Sequence, residues 1–276
     1  MAASAWGRMD RHQLGLSTFL WPGMDVERWL ELALVLGLGG VELRADPRAA
    51  GPGDLAPAAR RQLRERLAEC GLWSTVHAPI YDLNLSSPLR AIAAASVEEV
   101  IGAVDLASDL GSRLLVVHPG HVDSDYLPLA GERDLAWRRF SLAMEVILAH
   151  AARNGVRVAL ENKQRPRGWD MVHTPAEHVQ AVDRFPGLGA CLDFGHLHTT
   201  GGEPAAYVAA LGERLVHVHL HDNCGERDEH LPLGRGSLPW RAAWAALASA
   251  GYRGPIVLEI PDPDGLRESL AVLERG

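Results

Sequence analysis

Short apolar runs alternate with longer amphipathic segments along this 276-residue chain, and this alternation limits the possible folds more than any other feature. Short apolar runs bounded by Gly, Pro or Asn are typical of strands, and the longer segments are typical of helices. The predicted strands are Gln13 to Leu20, Gly39 to Ala45, Leu72 to Ile80, Arg113 to Gly120, Val156 to Asn162, Leu188 to His196, Leu215 to His221 and Arg253 to Ile260.

Eight strands alternating with eight helices predict an α/β fold, a single (β/α)8 TIM barrel over residues 1–276. Well-marked helices are predicted at Asp25 to Leu36, Pro57 to Cys70, Pro88 to Leu110, Glu132 to Arg153, Thr174 to Arg184, Leu238 to Ser249 and Asp264 to Glu274. A doubly wound open sheet is the competing fold, but it would normally carry a Gly-rich phosphate loop after its first strand. No such motif follows any predicted strand.

Side chains that can bind metal stand at the C-terminal ends of six successive predicted strands, the end where barrel enzymes carry their sites. They are His77, His118, Glu161, Asp193, His219 and Glu259. Each alone has an ordinary structural explanation, such as a buried histidine, a helix cap or an ion pair. A ring of buried carboxylates would repel, however, unless cations lie among them. The sequence therefore predicts a divalent metal centre at this end of the barrel.

The stretch LVHVHLHDNCGERDEH, from Leu215 to His230, has four of the 13 histidines of the chain. Period two places His217, His219 and His221 on one face of a strand, although a surface strand with outward polar residues would show the same pattern. His219 is expected in the central site, and His217 is expected to be structural because it comes one pleat too early.

The number of ions is left open by the residues. Glu161, Asp193, His219 and Glu259 suit one ion such as Mn²⁺, Mg²⁺, Co²⁺ or Zn²⁺. A second ion could use His77 and His118, and a third could use the zinc-like set His196, Asp228 and His230. One ion is the simpler expectation, with up to three chemically possible.

Composition narrows the cellular setting and the partners. The formal charge of −8, from 35 acidic and 27 basic residues, argues against a nucleic-acid partner without excluding one. The odd number of cysteines, without CxxC spacing, predicts reduced thiols in a cytoplasmic protein. The first residues lack the apolar core of a signal peptide, and no apolar run is long enough to predict a membrane span. A homo-oligomer remains open.

Several strings resemble the xylose-isomerase-like barrel superfamily, which holds sugar isomerases and epimerases together with the endonuclease IV group. The strings are VHAPIYDLNLSSP, LLVVHPG, VALEN, CLDFGH, HVHLHDN, DEHLPLGRG and VLEI, and they extend over nearly the whole chain. In the sugar epimerase branch, the resemblance implies one divalent ion on the central four residues. Glu161 and Glu259 would then transfer protons through a metal-stabilised enediolate of a sugar or sugar phosphate.

In the endonuclease IV branch, the resemblance implies a trinuclear zinc phosphodiesterase that attacks the phosphodiester with a metal-activated water. All nine zinc-binding side chains of that group have counterparts here, at His77, His118, Glu161, Asp193, His196, His219, Asp228, His230 and Glu259. No basic stretch with interleaved aromatics is evident to hold a duplex, so the isomerase or epimerase interpretation is preferred. A barrel that only binds its ligand is disfavoured because both glutamates are present.

Other residues are weaker candidates. Lys163, with the nearby Arg165 and Arg167, could meet a sugar phosphate or carboxylate, and His196 could contact substrate in the epimerase branch. Trp21, Trp169, Tyr81 and Trp240 could wall a pocket or simply cover the surface. Glu42 and Arg44 could contact substrate or form salt bridges. His221 and Asp222 could orient the metal-binding residues.

Overall fold

Eight parallel strands form a closed barrel in the computed structural model, which describes residues 10–165 and 169–275. The strands follow one another around the barrel in chain order, and the last pairs with the first. The barrel strands are β1 (Leu14–Ser17), β2 (Gly40–Arg44), β3 (Trp73–His77), β4 (Leu114–Val117), β6 (Arg157–Glu161), β8 (Gly189–Asp193), β9 (Leu215–Leu220) and β10 (Ile256–Leu258). The predicted TIM barrel is confirmed.

Helices surround the barrel and connect its strands. They are α1 (Val26–Val35), α2 (Pro57–Cys70), α3 (Arg90–Leu110), α4 (Glu132–Arg153), α5 (Pro175–Arg184), α6 (Phe194–Thr199), α7 (Pro204–Leu211), α8 (Trp240–Ser249) and α9 (Pro263–Arg275). Two short strands, β5 (His121–Val122) and β7 (Trp169–Asp170), pair antiparallel outside the barrel. No helix in the described ranges is both long and apolar enough to span a membrane.

The core lies between the strands and the helices that cover them. Leu30 of α1, Val41 of β2 and Phe140 of α4 have no measurable solvent exposure. At the opposite end from the predicted site, the indole of Trp73 packs so closely against Gly40 that a Cβ there would lie 2.0 Å from the ring. Glycine at this position therefore allows Trp73 to cover the barrel, where its Nε1 donates to the carbonyl of His12 at 2.7 Å.

The sixth predicted strand is shorter than expected. It was expected to reach His196, but β8 ends at Asp193 and α6 begins at Phe194. The carboxylate of Asp193 accepts a hydrogen bond from the backbone N–H of His196 at 2.6 Å and so acts as the N-cap of α6. This cap turns the chain from strand to helix and brings His196 back over the end of the barrel.

Candidate metal centre

Four side chains converge at the C-terminal end of the barrel. Glu161, Asp193 and Glu259 stand at or just after the ends of their strands, and His219 lies near the end of β9. One potential ligand atom from each lies within 4.8 Å of the others. Three of the four, Glu161, Asp193 and His219, have no solvent exposure, and Glu259 is 6% exposed. The structure thus brings together the four residues predicted for a central metal site.

The imidazole of His219 is the centre of this group. Its Nδ1 lies 3.3 Å from Oε1 of Glu161, 3.7 Å from Oε1 of Glu259 and 3.8 Å from Oδ2 of Asp193. Strand pairing explains part of the arrangement, because Asp193 and His219 are register partners on β8 and β9. Three carboxylates and one imidazole nitrogen therefore face a common point.

Two more histidines lie on the outer side of Glu161. Oε2 of Glu161 is 2.8 Å from Nε2 of His118 and 3.2 Å from Nε2 of His77. Nζ of Lys163 lies 3.2 Å from Nδ1 of His118. Burial and then the positive charge of Lys163 lower the pKa of His118 to about 3, so this ring is neutral and its nitrogen can bind a cation.

Asp228 is surrounded by histidines on the other side of the centre. Its Oδ2 lies 3.1 Å from Nε2 of His196 and 3.3 Å from Nε2 of His230. Nε2 of His221 is 3.3 Å from Oδ1 of Asp228 and also 3.3 Å from Oδ2 of Asp193. The predicted set of His196, Asp228 and His230 is therefore together in space, and His221 is between it and the central group.

The rings of His77, His196 and His230 are oriented in the same way. In each, Nδ1 lies within hydrogen-bonding distance of a backbone carbonyl, and Nε2 faces a carboxylate of the site. The accepting carbonyls belong to Ala78 at 2.7 Å, Asn162 at 2.8 Å and Glu259 at 2.8 Å. A backbone carbonyl on the second nitrogen is the usual means of orienting a metal-binding imidazole. All three rings are therefore oriented as ligands.

Unpaired polar atoms and the charge balance test whether this group fits a cation. Oδ2 of Asp193, Oδ1 of Asp228 and Nε2 of His221 are buried without a hydrogen-bond partner. Although burial alone would raise it, the neighbouring His118 and His219 hold the pKa of Glu161 well below its ordinary value. Buried, ionised carboxylates together with imidazole nitrogens are a donor set that divalent ions prefer. The residues fit a divalent metal.

Comparison with known proteins agrees with this architecture. The family model described as xylose isomerase-like TIM barrel matches residues 30–276. The chain belongs to the xylose isomerase-like TIM barrel family. An uncharacterized protein of Methanocaldococcus jannaschii is 34% identical over 189 residues, which cover 67% of this chain and 63% of that protein. The matched stretch is thus under two thirds of that relative's length.

Two further matches of this xylose isomerase-like barrel differ in their stated activity. The crystal structure of a D-tagatose 3-epimerase-like protein superposes with a TM-score of 0.84 at 26% identity, covering 95% of this chain and 96% of that one. A probable endonuclease 4 of Mycobacterium ulcerans is 28% identical over 211 residues, which cover 72% of this chain and 76% of that protein. The proteins similar to this chain thus include one named for sugar epimerisation and one named for endonuclease activity.

A cleft of about 790 Å³ opens above the metal-competent residues of the xylose isomerase-like barrel. Its walls include Phe19, Arg44, Tyr81 and Lys163. Arg44 forms a salt bridge with Asp46 at 2.7 Å, and its guanidinium lies 4.8 Å from the Phe19 ring. Of the two interpretations for Arg44, the salt bridge is therefore present, and the same side chain also lines the cleft.

The predicted pocket aromatics are dispersed. Trp21 is 39% exposed and is not among the residues that line the cleft. Trp169 is buried on β7, where the guanidinium of Arg133 lies 5.1 Å from its ring, and it borders a neighbouring cleft that shares Asp228. Trp240 is buried on α8. Arg167, predicted beside Lys163, lies outside the described residues.

Sequence reasoning missed Asn162. Its side chain links the ends of β6 and β8, accepting from the N–H of Asp193 at 2.8 Å and donating to the carbonyl of Asp193 at 3.0 Å. Its own carbonyl orients His196. The available signal was a second polar residue directly after Glu161 at a strand end, but its partner on the next strand could not be read from the chain.

Proposed function

We propose that this protein is a divalent-metal-dependent sugar isomerase or epimerase that transfers protons with Glu161 and Glu259. The observation that carries the proposal is the placement of these two carboxylates at the floor of the cleft, with one oxygen of each within 4.8 Å of the other. The cleft volume of about 790 Å³ suits a monosaccharide or its phosphate. The likeness to a D-tagatose 3-epimerase-like protein supports the same reaction class.

The two glutamates would act as base and acid in turn. One carboxylate removes the proton from the carbon next to the substrate carbonyl, and the electron pair of that C–H bond forms an enediolate. The other carboxylic acid returns a proton to the opposite face of the same carbon in an epimerase, or the proton goes to the neighbouring carbon in an isomerase. Glu161 is proposed as the base. Although burial alone would raise it, the neighbouring His118 and His219 hold its pKa well below the ordinary value, so it is a carboxylate at neutral pH and can accept a proton.

A divalent ion, Mn²⁺ or Zn²⁺, would be held by Glu161, Asp193, His219 and Glu259. When bound, it supplies electrostatic stabilisation of the negative oxygen of the enediolate. Asp193 is fixed for this task from two sides, because Asn162 holds its backbone and its carboxylate caps α6. Rigid support of this kind keeps ligands within the narrow range of positions that metal catalysis requires.

Lys163 lines the cleft with its Nζ 3.2 Å from Nδ1 of His118, and it is proposed to contact an anionic substituent of the substrate, such as a sugar phosphate. His196, on the same side as Lys163, could donate to a substrate hydroxyl. Trp169 and Trp21 would contribute at most at the rim, since one is buried and the other is outside the cleft.

The direct test is turnover of ketohexoses, ketopentoses and their phosphates by protein loaded with Mn²⁺ or Zn²⁺. Glu259→Gln keeps the size of the side chain but removes the acid–base function, so turnover should be abolished. Glu268→Gln is the matched control and should leave turnover unchanged. Glu268 is an exposed residue of α9 that pairs with Arg235. Retained activity in Glu259→Gln would refute the proposed role.

A zinc-dependent phosphodiester hydrolase is the second candidate, and one specific observation favours it. His77 and His118 both point at Oε2 of Glu161, while His196 and His230 both point at Oδ2 of Asp228, so two further ions could be held. The similarity to a probable endonuclease 4 agrees with this alternative. About three zinc ions per chain, with incision of a duplex containing an abasic site, would establish it in place of the epimerase; about one ion without incision would support the epimerase.

A further inference from the structure

A buried carboxylate lies directly below the central site and is not part of the proposed metal-binding set. Glu42 is on β2, points into the barrel and has no solvent exposure. Its Oε1 lies 2.9 Å from Nε2 of His219, the ring nitrogen that faces away from the three carboxylates of the site. Both atoms are buried, and neither forms a hydrogen bond of regular geometry within the described residues, so the contact between them is a close approach of a carboxylate oxygen and a ring nitrogen.

The second oxygen of Glu42 is held independently. Thr75 donates its hydroxyl to Oε2 at 2.9 Å, and Nε2 of His217 lies 2.8 Å from the same oxygen. Glu42 and Thr75 are register partners on β2 and β3, whereas His217 and His219 reach across the barrel from β9. Thr75 and His217 thus fix the orientation of the carboxylate independently of its contact with His219.

We propose that Glu42 is the positioning residue for His219 and thereby sets the affinity of the central metal site; this inference rests on the metal dependence of the proposed function. A carboxylate at Nε2 keeps the proton on that nitrogen, which leaves the lone pair on Nδ1, the atom that faces Glu161, Asp193 and Glu259. The negative charge also makes the imidazole a stronger ligand. Loss of such a partner typically weakens metal binding about 10- to 100-fold.

The arrangement is the reverse of that found at three other histidines of the site. His77, His196 and His230 use Nδ1 for a backbone carbonyl and present Nε2 to the site. His219 presents Nδ1 and has the Glu42 side chain behind Nε2. A substitution can remove this charged side chain, whereas it leaves a backbone carbonyl in place. The orientation of His219 can therefore be tested by changing one residue.

The first measurement compares zinc affinity of the full chain with that of Glu42→Gln, by competition with a chromophoric chelator at constant pH. We expect the dissociation constant to rise by about tenfold or more in Glu42→Gln. Glu132→Gln, which removes another buried carboxylate, paired with Arg139 on α4 and remote from the site, should keep the wild-type value. Equal affinities of wild type and Glu42→Gln would overturn the role of Glu42 and leave the proposed function intact.

The second measurement needs no substitution of Glu42, so it remains valid even if Glu42→Gln fails to fold. In zinc-loaded protein with ¹⁵N-labelled histidine, two-bond proton–nitrogen spectra identify the protonated nitrogen of His219, whose signals are assigned by their loss in His219→Gln. We expect a protonated Nε2 and zinc on Nδ1. Zinc on Nε2, as an ion held below the ring with Cys191 and His217 would require, overturns the inference. If the wild type binds neither zinc nor manganese, both this inference and the proposed function are overturned.

Discussion

The loop that holds Asp228 and His230 depends on one buried carboxylate, and its removal provides a quantitative test. Asp222 follows β9 and accepts three backbone N–H groups of the loop and the segment after it. Oδ1 accepts from Asn223 and from Leu238, each at 2.9 Å, and Oδ2 accepts from Gly234 at 2.8 Å. The sequence suggests that Asp222 orients the metal-binding residues. These three bonds connect it to the backbone of the loop that carries two of them.

Asp222→Ala would leave all three donors without an acceptor. Each buried N–H that loses its partner costs about 1–3 kcal/mol, and water can replace the acceptor only at the half-buried Gly234 bond. We therefore expect the free energy of unfolding to fall by about 3–5 kcal/mol, measured by urea denaturation. Asp222→Asn keeps Oδ1 and should lose only the Gly234 bond, with an intermediate cost of about 1–2 kcal/mol.

A matched substitution separates this effect from the simple loss of a carboxylate. The side chain of Asp264, on α9, is 86% exposed, and within the described part of the chain its one ion pair is with Arg267 of its own helix. Asp264→Ala should change the free energy of unfolding by less than about 0.5 kcal/mol. If Asp222→Ala costs less than about 1 kcal/mol, the loop is held by other contacts and the reasoning is refuted.

Three further outcomes are expected. Burial lowers the pKa of His178 from 6.5 to about 4, so its neutral ring favours folding above pH 6.5 and about 3 kcal/mol is lost as pH falls towards 4; denaturation of His178→Asn should show a shallower pH slope, and an unchanged slope contradicts this. In Gly195→Ala the new Cβ would lie 2.0 Å from the His221 ring, so bound metal and the melting temperature should fall, whereas Gly53→Ala meets no atom within 4 Å and should match wild type. Lys163→Met should increase the number of zinc ions bound per chain in elemental analysis, because a positive charge near the site is removed; an unchanged number would contradict this.

The barrel and its central residues could be predicted because both depend on local patterns. Apolar runs alternating with amphipathic segments specify the strands and helices, and parallel strands necessarily bring their C-terminal ends together. Glu161, Asp193 and Glu259 could therefore be placed near one another without knowledge of any contact. The end of β8 could not be predicted in the same way, because Phe194 continues the apolar pattern while the cap by Asp193 starts a helix.

Contacts between side chains on opposite sides of the barrel could not be predicted from the sequence. Glu42 lies on β2 and His219 on β9, strands that are not neighbours in the sheet, so neither register nor period relates them. The sequence offered Glu42 only a substrate contact or a salt bridge, whereas it lies 2.8 Å from Nε2 of His217 and 2.9 Å from Nε2 of His219. Only closure of the barrel brings these side chains together, which is why a positioning role could not be predicted from the sequence.

The choice between one ion and three also affects the proposed role of Glu161. An ion held by His77 and His118 would lie at Oε2 of Glu161, and its positive charge would make this carboxylate a weaker base. Proton transfer by Glu161 is therefore favoured when this outer position holds no cation. Nζ of Lys163 is 3.2 Å from the His118 ring, and its positive charge repels a second cation there. Under the proposed function, this repulsion would favour a single central ion and would leave Glu161 as the base.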